Sequence, residues 1–176
     1  MKWVERIEPS REEADGPWQR GLNYKTLPPS VTDAKGIDLD QMPSMTEVSV
    51  FSGITEIEND SLGQTKPGDR VKVKARGWAW AGGGRNVVRV DLTSDDGASW
   101  ATAKLKEGSG QKFGRAWAWV FWECEIPDAV VREDGSIRLA SKAVDLAFNV
   151  QPENSKHGWN VRGLGNNAWY RESLFQ

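Results

Sequence analysis

The sequence predicts an all-β fold: an immunoglobulin-like antiparallel β-sandwich with an extended N-terminal arm. Three observations predict it. About seven short apolar-alternating segments follow residue 46, turn signals separate them, and no segment has a convincing amphipathic helical period. A closed barrel is the architectural alternative. The chain has 176 residues, enough for one domain with a proper core or one domain plus a tail.

Residues 1–45 differ from the rest. They hold five of the eight prolines (Pro9, Pro17, Pro28, Pro29 and Pro43), many acids and only scattered apolar residues. Pro28-Pro29 dictates an extended chain. This segment reads as an arm or linker that packs on something, and residues 46–176 as the sandwich.

Within the sandwich, EVSVF (47–51) alternates, and VKVKA (71–75) places Val71, Val73 and Ala75 on one face with lysines on the other. NVVRVDLT (86–93) sets Val88, Val90 and Leu92 opposite Arg89 and Asp91. Asp96-Gly97 supplies the positive φ of a hairpin turn, and SWATAKL is the return strand. RAWAWVFWECEIP (115–127) is the strongest strand candidate, expected to end at Pro127. Asp134-Gly135 marks another turn, SIRLASKAVD (136–145) a further strand, and NNAWYR the start of the last.

The strand at 115–126 has two apolar faces. Trp117, Trp119 and Phe121 form one; Ala118, Val120, Trp122 and Cys124 form the other. A two-layer sandwich needs only one. The second must meet the arm, a long loop or a second subunit.

Composition removes several function classes. The net charge of -2 and the lack of a Lys/Arg block give no reason to expect nucleic acid. No apolar run approaches a membrane span. Cys124 and His157 are the only residues of their types, which rules out an intrachain disulfide and argues against an all-protein zinc site. Cys124 lies between Glu123 and Glu125, which oppose a thiolate. AGGGRNVV (81–88) lacks both the phosphate-loop spacing and a following helix, so a tight turn is the better reading.

The unusual number is ten tryptophans, several interleaved with arginines. They fit a Trp-heavy core, a sticky interface, or a carbohydrate- or base-stacking module. In GWNVRGLGNNAW (158–169), Arg162 is a lone charge among glycines and asparagines. Its rigid fork of donors suits a small oxyanion; a plain loop ion pair is the alternative.

Three long stretches carry a family resemblance: GWAWAGGGRNVVRVDLTSDDGASWATAKL (77–105), GRAWAWVFWECEIP (114–127) and SKAVDLAFNVQPENSKHGWNVRGLGNNAWYR (141–171). They resemble the C-terminal dimerisation domain of sulfite oxidases, a branch of the molybdopterin oxidoreductases. KWVERI (2–7), WQRGLNYK (18–25) and PPSV (28–31) resemble the end of the molybdenum-cofactor domain and the crossing into the dimerisation domain. The resemblance implies a homodimer through the sandwich, and a partner domain of the same protein that holds molybdenum-molybdopterin. It also implies that Arg162, supported by Gly163, reaches the sulfite pocket, and that a carboxylate at 163 would oppose anion binding. The related domain of assimilatory nitrate reductases carries a methionine at the arginine position, so Arg162 favours the sulfite branch.

By the same resemblance this chain binds no cofactor itself and is a catalytically inactive piece of a longer enzyme. Cys124 does not match the metal-ligand position. Mitochondria, peroxisomes and the bacterial periplasm are the compartments the family implies. The competing reading is a stand-alone Trp-rich ligand-binding sandwich of carbohydrate type.

Overall fold

The computed structural model describes residues 2–61 and 63–175. Among them are eight β-strands: β1 (Phe51–Glu58), β2 (Arg70–Trp80), β3 (Val87–Thr93), β4 (Ala101–Thr102), β5 (Lys104–Leu105), β6 (Val120–Val130), β7 (Ile137–Asp145) and β8 (Tyr170–Leu174). They form two four-stranded antiparallel sheets, ordered β1-β2-β6-β5 and β4-β3-β7-β8. The only helical elements among the described residues are two 3-10 turns, Leu39–Gln41 and Ser155–Gly158. The fold is the all-β sandwich that the sequence predicts.

The core follows from strand alternation. In β2, Val71, Val73, Ala75 and Ala79 point inward; in β6, Val120, Trp122, Cys124 and Ile126 do. The other sheet answers with Val90, Leu92, Ile137, Leu139 and Ala143. Gly77 faces the core between Ala75 and Ala79 because Trp122 needs the space. A Cβ there would lie 2.4 Å from the Trp122 ring and 2.0 Å from the Gly53 carbonyl oxygen.

Five local expectations are corrected by the backbone. The first strand begins at Phe51, not Glu47, because the Val48 carbonyl accepts from Gly82 N at 2.9 Å and so serves a turn. A register shift between Val87 and Arg89 turns Val88 outward, while Asp91 is buried, accepting from Arg89 Nε at 2.9 Å and Thr102 Oγ1 at 3.0 Å. The expected return strand SWATAKL is split at Ala103. Its first half pairs with β3 and its second with β6, in opposite sheets. Residues 115–119 are irregular, and β6 starts at Val120. Finally, Pro127 does not end β6. It sits where the β2–β6 register shifts between Val71 and Val73, so its missing N–H falls in an interrupted stretch of ladder.

By contact, the chain divides into two units: residues up to Thr46 with Gly158–Gly165, and Glu47–His157 with Asn166 onward. The first unit is mostly extended. Lys25 bridges Ser44, and Lys25 Nζ, buried, donates to Met42 O at 2.9 Å and reaches Glu13 at 3.3 Å. Both sheets belong to the second unit.

Candidate functional site

Arg162 stands on a turn that a neighbouring asparagine builds. The Asn160 side-chain oxygen accepts from Arg162 N at 3.2 Å and from Leu164 N at 3.1 Å. Its amide nitrogen donates to Leu164 O at 2.8 Å and Gly158 O at 3.2 Å, and Gly163 N donates to Asn160 O at 2.9 Å. Asparagine favours such turns because its side chain mimics backbone groups. Gly163 follows at φ +66°, the left-handed region that disfavours a side chain. A Cβ at 163 would meet nothing within 4 Å, so within this chain the glycine answers to backbone handedness.

The Arg162 side chain is exposed, and among the described residues no carboxylate lies within 4.0 Å of it. The loop ion pair weighed as the alternative is not formed. The guanidinium is a fixed charge with free donors, the form that recognises an oxyanion.

The chain ends that lead to this turn are pinned by a residue that sequence reasoning missed. Gln151 is buried. Its side-chain nitrogen donates to the Asn167 and Ala168 carbonyls, both at 3.0 Å. Its side-chain oxygen accepts from Ser52 Oγ at 2.7 Å and Ala143 N at 2.9 Å. Its own carbonyl accepts from Trp169 Nε1 at 3.0 Å. Residues 151 and 167–169 thus close the two ends of the excursion that carries Arg162. The signal available in sequence was the turn chemistry of Asn160-x-Arg162-Gly163; nothing marked Gln151 as buried.

The other singled-out residues have structural employment. Cys124 faces the core, 6% exposed, and burial pushes its thiol up, with Asp91 and Glu125 adding to the shift. His157 is exposed in the 3-10 turn. Arg85, beside the glycine run, donates Nε to Asp145 at 2.8 Å, Nη1 to Glu47 at 2.7 Å and Nη2 to Val48 O at 3.2 Å. A cavity of about 430 Å³ lies in the second unit beside Arg70 and Arg132, but these are paired with Asp128 and Asp96. Arg162 does not line it.

Residues 42–176 match the model of the Mo-co oxidoreductase dimerisation domain. The chain belongs to that family. It is 40% identical to the mitochondrial sulfite oxidase of Macaca fascicularis and 39% identical to that of Homo sapiens, in each case over 99% of this chain and 30% of the relative. It is 33% identical to a nitrate reductase [NADH] of Lotus japonicus, over 97% of this chain and 19% of that protein. The chain therefore spans about 30% of the length of the sulfite oxidases it matches. In structure it resembles the sulfane dehydrogenase SoxCD of Paracoccus pantotrophus, with a TM-score of 0.60 and 22% identity over 91% of this chain and 36% of that one. That likeness speaks to the fold.

A Mo-co dimerisation domain raises the question of the cofactor. The one thiol of this chain is sealed in the core, and burial opposes its thiolate, the form that ligates metals. Among the described residues no cluster of His, Cys, Asp and Glu could hold a metal. The described residues do not fit a metal ion.

Proposed function

We propose that this domain serves a sulfite-oxidising molybdenum enzyme in two ways: it holds two copies together through the sandwich, and it lends Arg162 to the pocket that binds the sulfite anion. The redox chemistry belongs to a molybdenum-cofactor domain of the same protein, and this chain by itself is inactive. One observation carries the reading: Arg162 is an exposed, unneutralised guanidinium on a turn fixed by Asn160 and Gly163. A doubly charged oxyanion is the kind of ligand such a fork selects. The sulfite oxidase relatives support the choice of anion.

The test is Arg162→Gln in the full-length enzyme. Charged hydrogen bonds contribute about 1.5–3 kcal/mol, so the sulfite KM should rise about tenfold or more. Unchanged KM and kcat would sink the role. Gly163→Asp should act in the same direction, by bringing a like charge to the anion. The nitrate reductase relative supplies a second reading, in which the anion is nitrate. Assaying nitrate reduction and sulfite oxidation on one preparation separates the two.

A further inference from the structure

The outer face of the β1-β2-β6-β5 sheet is divided into two halves by its register. Opposite each other across the strands lie Phe51 and Trp80, then Gly53, Trp78 and Phe121. The next rows are Glu56, Arg76, Glu123 and Lys104, then Glu58, Lys74 and Glu125. The first half is thus entirely apolar, and Trp119 and Trp117 extend it just ahead of β6. The second half alternates in sign. Arg76 pairs with Glu56 at 2.6 Å and Glu58 at 2.5 Å, Lys72 with Glu125 at 2.8 Å, and Lys106 with Glu123.

The aromatic half is ordered before anything binds it. Gly53 lets the Trp78 indole lie flat on β1; a Cβ there would be 3.0 Å from the ring. Trp78 stacks on Trp119 with centroids 4.8 Å apart and planes at 23°. Phe51 sets its edge against Trp78 at 5.3 Å and Trp80 at 5.8 Å. Yet Trp117 remains 65%, Trp119 52% and Phe121 46% exposed. The domain's own loops therefore do not cover this face. Rigid aromatic groups left in water mark an interaction surface.

We propose that these aromatic rows are where two copies of the domain meet. The inference rests on reading the chain as a dimerisation domain and adds the surface to it. The family match spans residues 42–176, which include all six rings. A ring cluster without charge is self-complementary across a two-fold axis, since each copy offers what the other needs. The polar rows are already neutralised and form a solvated rim. At 150–250 Å² per aromatic side chain, the exposed parts of the rings amount to roughly 500 Å² per copy. That is more than half of the ~800 Å² per partner of a standard interface.

Sedimentation equilibrium on the chain and on the full-length protein tests it. Trp119→Glu and Phe121→Lys alter half-exposed positions, so near-ultraviolet circular dichroism and the melting curve should report an intact fold. Both should weaken the dimer at least about 100-fold. Exchanging Lys72→Glu with Glu125→Lys in the polar rows should leave it within a few-fold. If both aromatic variants stay dimeric, the surface lies elsewhere while the dimer reading survives. If the wild-type chain and the full-length protein are monomeric up to about 100 µM, the dimer reading itself falls, and the surface with it.

Discussion

Two turns of this chain join glycine to arginine, and they use the charge in opposite ways. At 82–85, Gly83 and Gly84 take φ +67° and +70° and bring Arg85 onto two carboxylates and a carbonyl. At 160–165, Gly163 takes a similar φ of +66°, but the turn closes on Asn160 and leaves Arg162 without a carboxylate among the described residues. Each turn sets a left-handed glycine next to its arginine, two before Arg85 and one after Arg162. What separates the structural arginine from the one proposed to bind an anion is whether its charge is neutralised within the fold. Asp145 makes the difference visible: its side chain is fully buried, and it also accepts from Asn149 Nδ2 at 2.9 Å and the Ala147 amide at 2.9 Å.

The contrast is easiest to break at Arg85. Arg85→Leu strands the buried Asp145 carboxylate and should cost about 3 kcal/mol, lowering Tm by about 6 to 12 °C in a calorimetric scan. Next in size, Gly163→Val forces a β-branched residue into the left-handed region and should cost roughly 1–2 kcal/mol by urea unfolding, whereas Gly163→Asn should cost clearly less. Asn160→Ala should remove about 1 kcal/mol locally. Its signature would be faster hydrogen exchange at the Arg162 and Leu164 amides, with β6 unaffected.

Acid should separate the two turns further. Burial pushes Asp145 up, but hydrogen bonds from Asn149 and Arg85 outweigh it, and its carboxyl lies below the usual range. Asp95, held by Ser99 and Thr93, lies at about 2. Both values are depressed relative to about 3.9 in the unfolded chain, so their stabilisation is complete above about pH 4. It is lost as each group titrates below that, near 2 for Asp95, and amide shifts at 82–85 should move as acid protonates Asp145 while those at 160–165 stay flat. The smallest effect belongs to Arg162→Gln, which should change the stability of the chain by less than about 0.5 kcal/mol. A larger loss would mean that Arg162 has a structural partner after all.

Much of the sandwich was legible because its signals are local. β7 occupies the expected 136–145 region almost residue for residue, and Asp96-Gly97 takes φ +56° and +95° as its hairpin demands. The misreadings arose where partners override the local pattern. Val48 alternates like a strand residue but serves the glycine turn, and Val88 is turned out by a shift that only its pairing with β7 defines. Pro127 reads as a terminator until the matching irregularity in β2 is seen. The same holds for the site. Gly163 announced a turn, and Arg162 announced an anion-seeking charge. The absence of a neighbouring carboxylate, and the burial of Gln151 beneath the chain ends, depend on contacts far apart in sequence.

The split at Ala103 has a mechanical consequence. Within five residues the chain leaves the edge of one sheet and joins the edge of the other, with the Ala103 amide donating to Val90 O at 2.8 Å on the way. That segment works as a stitch: peeling either sheet pulls on the other. The two layers should therefore lose protection together, so native-state hydrogen exchange should find one common opening free energy for the amides of β3 and β6. Two separate values would mean that the layers come apart independently, stitch or no stitch.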